Sequence, residues 1–477
     1  MNDLDLCYLP GHAAIEKFKT GKLSPRDILN AQIARAGATN PAVNAFTDTY
    51  HDEAMAQARA AEVVYAKNPD QARPLEGLTL AVKDSQALAG KRSTLGSLIY
   101  QNNVATNTSA AVQRLLDAGA IVIGKTTVPE FSSAGVTTSK LFGTTGTPWN
   151  TAYTSGGSSG GSAAALGAGM TTLATGSDIA GSIRVPAACC GVVGYKPPYG
   201  RIPGAPPFNL DFYCQTGPLA QNVGDCALMT NVMAGAHRDD IATLREDFNL
   251  PTNWENIKGW KVAYSLDLGF FPIAPEVRQG VLDTLEKLRS LGAQVEEVNL
   301  GWTSDVTNAA AAYLDHLFGR ELARNYEQYG NMLCDYNVFY AKRAGASDAE
   351  TFLATYEMAA KLYADMAPIL DEHHAFICPT IATNEVRADA KPWETMLVDG
   401  TEIVTDFDWV LSHPFNMLSR LPVLSVPAGL ASNGLPTSIQ IIARSFDDHR
   451  VFQLAAALEK ISPWLDCDAR RPMVNMA

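Results

Sequence analysis

Two glycine-rich, serine-bearing turns stand one short helix apart in this chain: Gly-Gly-Ser-Ser-Gly-Gly-Ser at 156–162 and Gly-Ser-Asp-Ile-Ala-Gly-Ser-Ile-Arg-Val-Pro at 176–186. Glycines before a serine let the backbone turn sharply and aim successive N–H groups at one point. Any fold for this chain must present two such turns. An upstream Ala-Val-Lys-Asp (81–84) supplies a lysine that could serve both. The arrangement points to a serine nucleophile served by lysine instead of histidine.

Other readings of the first turn fit less well. A flexible linker would not run directly into the helix-prone Ala163–Leu166. A phosphate-binding loop would end in Gly-Lys-Ser/Thr, and no lysine stands there. Gly157-Ser158-Ser159-Gly160-Gly161 matches the Gly-x-Ser-x-Gly nucleophile elbow, but that motif should follow a strand, and Pro148–Thr154 makes a poor one. The second turn favours Ser182. The amides of Ile179, Ala180, Gly181 and Ser182 can form an oxyanion hole. Lys83 can act as base only when neutral, and burial beside the apolar Leu78–Val82 would lower its pKa.

Alternating helical and strand patterns run along the chain. Helical spacing marks His12–Thr20, Ser24–Ala38 and His51–Lys67, within an N-terminal helical region at about 12–68. A strand is expected at Gly77–Asp84, a helix at Thr106–Ala118 and a strand at Ala120–Gly124. Helix then strand recurs at Val277–Leu291 and Gln294–Val298, with further strands at Phe376–Ile381 and Val423–Val426. This predicts an α/β fold. A mostly helical insertion at about 302–372 carries Tyr313, Phe318, Tyr326, Tyr329, Tyr336, Phe339 and Tyr340. It reads either as a helical layer packed on the core or as a substrate wall. Residues 196–218 read as an irregular, pocket-lining loop. With no internal repeat or linker, 1–477 reads as one domain.

The composition narrows the function. A formal net charge of −13 and the lack of a basic run disfavour nucleic acid as a partner. Apolar residues at 47% suffice for a large core. Eight dispersed cysteines and eight dispersed histidines show no zinc spacing. We therefore expect reduced thiols, no metal and no cofactor. No signal peptide or membrane span is evident, so a cytoplasmic enzyme is expected.

Taken together, Ala-Val-Lys-Asp (81–84), the 156–162 turn and Gly-Ser-Asp-Ile-Ala-Gly-Ser-Ile-Arg-Val-Pro-Ala (176–187) resemble the amidase signature family. Cys-Gly-Val-Val-Gly-Tyr-Lys-Pro (190–197), Gly124–Phe131 and Gly434–Gln440 are similar to it too. The resemblance covers about 12–460, with a signature core at about 77–200. It implies one domain built on a central mixed β-sheet with helices on both faces. It also implies Lys83 as base, Ser158 in a cis peptide bond as bridging serine (Ser159 being the competing candidate) and Ser182 as nucleophile. Asp178 and Arg184 read as scaffold charges. By the same resemblance Phe131, Ser132 and Ser133 line the acyl side of the pocket. Ala180 stands where glycine is usual, Ser85 where asparagine is usual, and Ser419-Arg420-Leu421-Pro422 replaces Thr-Gly-Leu-Pro.

The expected activity is hydrolysis of carboxylic amides, aryl or otherwise bulky, through a Ser182 acyl-enzyme. Carbamates (urethanes) are close behind. One alternative is the glutamine-hydrolysing subunit of a tRNA amidotransferase, with Arg420 as a candidate for the glutamine carboxylate. Another is an inactive scaffold. The expected partner is a small amide or carbamate, and the chain is expected to be a monomer or homodimer.

Overall fold

The computed structural model describes residues 2–474. Its centre is an eleven-stranded sheet. The strands, in chain order, are β1 (Phe46–Thr49), β2 (Thr79–Lys83), β3 (Ile121–Thr126), β4 (Leu173–Asp178), β5 (Val193–Lys196), β6 (Gln215–Ala220), β7 (Lys261–Tyr264), β8 (Gln294–Glu297), β9 (Ala375–Pro379), β10 (Val423–Leu430) and β11 (Pro436–Ile442). Across the sheet they run β1-β3-β2-β4-β6-β5-β10-β11-β9-β7-β8. The pairs β3–β2, β2–β4, β9–β7 and β7–β8 are parallel and the others antiparallel, so the sheet is mixed. Helices flank it, as the α/β reading expects.

β2 and β3 are buried along their length because both faces of the sheet are covered there. Every residue of β2, Thr-Leu-Ala-Val-Lys, is buried, and so is every residue of β3. Strands buried on both sides lose the polar alternation of a half-exposed strand. The N-terminal helices form as expected, at Gly11–Lys19, Pro25–Val43 and His51–Lys67. The second starts with Pro25 at its first position and a capping box in which Ser24 accepts from Asp27 N–H. It runs five residues beyond the expected Ala38, and Phe46–Thr49 then pairs with β3.

Several strands were hidden in small-residue sequence. β4 is Leu-Ala-Thr-Gly-Ser-Asp and lies inside the signature itself. β6, Gln-Thr-Gly-Pro-Leu-Ala, begins within the segment expected to be irregular to residue 218. Asn150–Thr154 is also a strand, in a two-stranded hairpin with Gly146–Thr147 outside the main sheet. β4 and β6 lack β-branched and aromatic enrichment, and pairing with neighbours decides them.

The 302–372 region is helical as expected, with helices Asp305–Leu314, Arg320–Tyr329, Asp335–Arg343 and Ala349–Glu372. A π-helical turn, Asp315–Gly319, joins the first two. The layer is anchored in the core: Tyr313, Leu362, Met366 and Leu370 pack in one apolar cluster with Phe376 and Trp409. No helix among the described residues is long and apolar enough to cross a membrane.

Candidate active site

The two serine turns meet at the ends of β2 and β4. These strands are parallel neighbours, so Lys83, last in β2, and Ser177 and Asp178, last in β4, emerge at the same edge of the sheet. Helix Gly160–Gly167 packs on β2, β3, β4 and β6 and carries the first turn in front of it. All eight of its residues are buried. Its glycines serve close approach: a Cβ on Gly161 would stand 2.4 Å from Thr127 N and 2.6 Å from Ala45 O. The second turn leads into helix Arg184–Cys190, and the Ser159 amide donates to the Ser182 carbonyl at 3.1 Å. Ser158 and Ser182 thereby face one cavity.

Lys83 is fully buried. Its Nζ lies 2.9 Å from Ser158 Oγ and 2.8 Å from Ser177 Oγ. The Gly157–Ser158 peptide is cis. Ser158, not Ser159, touches the lysine; the Ser159 hydroxyl turns to the Ser177 backbone instead. Desolvation drives the Lys83 pKa down to about 7, against the opposing pull of the Cys214 and Asp178 side chains. Burial pushes the Cys214 thiol upward, so it stays neutral near pH 7 and the opposing charge is that of Asp178.

The turn around Ser182 is held by a buried ion pair. Arg184 Nη2 meets Asp178 Oδ1 at 2.9 Å, and both side chains are fully buried. Burial alone would raise the Asp178 carboxyl, but the Arg184 guanidinium and Asn416 amide hold it down at about 2. Asp178 also accepts from the amides of Gly181 (2.8 Å) and Ile183 (3.2 Å). Of the four amides in the expected oxyanion set, that of Gly181 is therefore engaged by Asp178. Among the described residues, those of Ile179, Ala180 and Ser182 have no acceptor. Gly181 has φ +122°, and a Cβ there would stand 1.9 Å from Ser412 Oγ. Ala180 is not at positive φ, so its methyl group is accommodated without backbone strain.

The cavity has a volume of ≈ 400 Å³ and Ser158, Ser177 and Ser182 lie on its wall. Phe131, Ser132 and Ser133 line it, as do Gly204–Phe208 of the proline-rich loop. Phe131 and Ser132 have φ of +57° and +58°, a region L-residues avoid. The fully buried Glu130 fixes this segment: its carboxylate accepts from Ser97 Oγ, Cys334 N and Asn337 Nδ2. Helix Asp335–Arg343 is thereby bolted to the pocket loop. The helical layer contributes Leu314, Asp315, Phe318, Leu322, Tyr340 and Arg343 to the lining, and so acts as a wall. Arg420 is exposed and stacks over Phe446 away from the cavity. The cavity arginine is Arg343, 2.7 Å from Asp315 and 2.7 Å from Asp406.

A family model described as Amidase matches residues 27–452. The chain belongs to the amidase family. An acylamidase of Rhodococcus erythropolis is 31% identical, over 98% of this chain and 98% of its own length. A glutamyl-tRNA(Gln) amidotransferase subunit of Neisseria meningitidis is 30% identical, over 93% of this amidase and 95% of the relative. The crystal structure of a bacterial aryl acylamidase of the amidase signature family superposes with a TM-score of 0.88 at 27% identity, covering 96% of this chain and 97% of that one.

Sequence reasoning missed Ser177, Cys214, Asp315, Arg343 and Asp406. Ser177 lies within the signature, yet its contact with Lys83 depends on the pairing of β2 with β4. The charged trio converges from segments spread over about ninety residues, with no local signal. Among the described residues no group of three or more His, Cys, Asp or Glu side chains could hold a metal ion.

Proposed function

We propose that this amidase hydrolyses the C–N bond of carboxylic amides with Ser182 as nucleophile, Ser158 as proton bridge and Lys83 as base. The observation that carries the reading is the buried Lys83 amine, 2.9 Å from Ser158 Oγ, with its pKa lowered to about 7. With the amine neutral, one N–H donates to Ser177 and the lone pair accepts the Ser158 proton. Ser158 in turn takes the proton of Ser182 as that oxygen attacks the carbonyl carbon. The amides of Ile179, Ala180 and Ser182 receive the developing oxyanion, each donor contributing roughly 2.7–4 kcal/mol in comparable sites. The proton returns through Ser158 to the leaving nitrogen, the C–N bond breaks, and an acyl-enzyme remains. Water attacks it by the same relay and releases the acid.

The mostly apolar cavity, with Phe131, Phe208, Phe318 and Phe407 in its walls, suits aryl or other bulky amides, and the acylamidase relatives point the same way. A carbamate presents the same carbonyl to the same nucleophile. Lys83 in contact with Ser158, and Ser158 sharing a cavity with Ser182, argue against an inactive scaffold. The lining draws on residues from Ser85 to Val410, which supports reading the chain as one functional unit. All eight cysteines are free thiols, which favours a reducing, cytoplasmic setting.

Release of aniline or p-nitroaniline from aryl amides and aryl carbamates, beside Ser182→Ala, tests the proposal. Turnover lost in the variant supports it. Equal turnover in both proteins sinks the assignment of the nucleophile.

A second reading rests on Arg343, Asp315 and Asp406. A guanidinium flanked by carboxylates at the cavity wall suits an α-amino acid, and the amidotransferase subunits are relatives. Glutamine hydrolysis that appears only with partner subunits would favour it.

A further inference from the structure

We propose that Phe208 and Phe318 form an aromatic gate that selects planar ring systems on the substrate. The proposal rests on the hydrolase reading above and names the group that its cavity prefers. The two rings come from elements 110 positions apart, the proline-rich loop and the helical layer, and stack with centroids 4.5 Å apart and planes at 24°. Both line the cavity, and both are half-buried, with part of each ring left to solvent.

Each ring is aimed by a departure from regular backbone. Phe318 lies in the π-helical turn Asp315–Gly319. Leu314, Asp315, Phe318 and Leu322 all reach the cavity from this stretch of the helical layer. Phe208 opens the 3₁₀ turn Phe208–Leu210. That loop is tied down by polar contacts on either side of the ring: Tyr199 OH donates to the Asn209 carbonyl, Asp240 accepts from Gly204 N, and Tyr313 OH donates to Asp211. The loop is thus held while the ring contact itself consists of dispersion and quadrupole attraction, which a third ring can extend. A planar substrate ring lies against such a wall over its whole face. A puckered ring of the same size touches it only through axial hydrogens.

The test separates binding from turnover by using ketones, which mimic the amide carbonyl and cannot be cleaved. Acetophenone and cyclohexyl methyl ketone are titrated calorimetrically into Ser182→Ala protein, alone and combined with Phe208→Leu or Phe318→Leu. The expected result is a preference of about tenfold for acetophenone, shrinking to about twofold or less in both leucine variants. Equal affinities in the parent protein overturn the gate. So does a preference that survives both leucine substitutions, or binding of neither ketone at millimolar concentration. Because the readout is affinity, a protein that binds acetophenone selectively but cleaves no amide would sink the hydrolase reading and leave the gate standing. Amide hydrolysis with equal ketone affinities would do the reverse.

Discussion

Lys83 and Ser177 lie on neighbouring parallel strands, with Nζ 2.8 Å from Oγ. This contact opposes the one to Ser158 and fixes where the lysine lone pair points. Ser177 exchanges no proton in the proposed relay and acts on it only through the Lys83 amine, so its role is positioning. An acceptor beside the amine also favours the charged ammonium. In Ser177→Ala, kcat is expected to fall about tenfold and the acidic limb of the pH profile to move to lower pH. An unmoved limb with unchanged kcat would show that the contact is incidental.

The unmodified enzyme should lose activity toward acid. Burial lowers the Lys83 pKa to about 7, so about half of the molecules hold the neutral base at pH 7 and about one in a hundred at pH 5. The value of kcat/KM should therefore fall close to tenfold per pH unit below about 6. A flat profile between pH 5 and 8 would exclude Lys83 as the base. Lys83→Met should remove this limb along with about a thousandfold or more of kcat.

The turn before Ser182 distinguishes two adjacent small residues. Ala180→Gly should leave kcat within about twofold, because Ala180 is not at positive φ. Gly181→Ala should abolish activity, because its Cβ would stand 1.9 Å from Ser412 Oγ and φ is +122°. Equal effects in the two variants would mean that the turn is softer than the geometry implies.

Asp178 and Arg184 are expected to act through stability. Removing one partner of a fully buried ion pair leaves the other charge unpaired, at a cost of about 3–5 kcal/mol. Arg184→Met should lower the unfolding free energy by that amount, read from the denaturant midpoint. A variant with unchanged midpoint and lost activity would assign Arg184 a direct part in the chemistry.

Much of the site was legible because its residues sit in contiguous, chemically distinctive runs. Lys83 ends a five-residue apolar strand, and Ser158 and Ser182 stand in glycine turns whose composition has few other uses. The helical layer was legible as a mostly helical, aromatic-rich stretch. β4 and β6 were not, since Leu-Ala-Thr-Gly-Ser-Asp and Gln-Thr-Gly-Pro-Leu-Ala have weak strand preference and are held by their pairing with each other. Arg420 drew attention as a charge beside a family motif, but it lies outside the cavity, whose arginine is Arg343.

By itself the sequence determined the nucleophile, bridge and base candidates, the α/β class and the family likeness, because these rest on residue types at short fixed spacings. Tertiary structure alone decided which serine meets Lys83, that Gly181's amide is held by Asp178, and that Phe208, Phe318 and Arg343 share a cavity with Ser182. Those relationships join segments that are separated along the chain, most of them by tens to hundreds of residues. They are set by strand pairing and by the packing of the helical layer, and no local pattern of residues encodes a contact whose partner lies on another element.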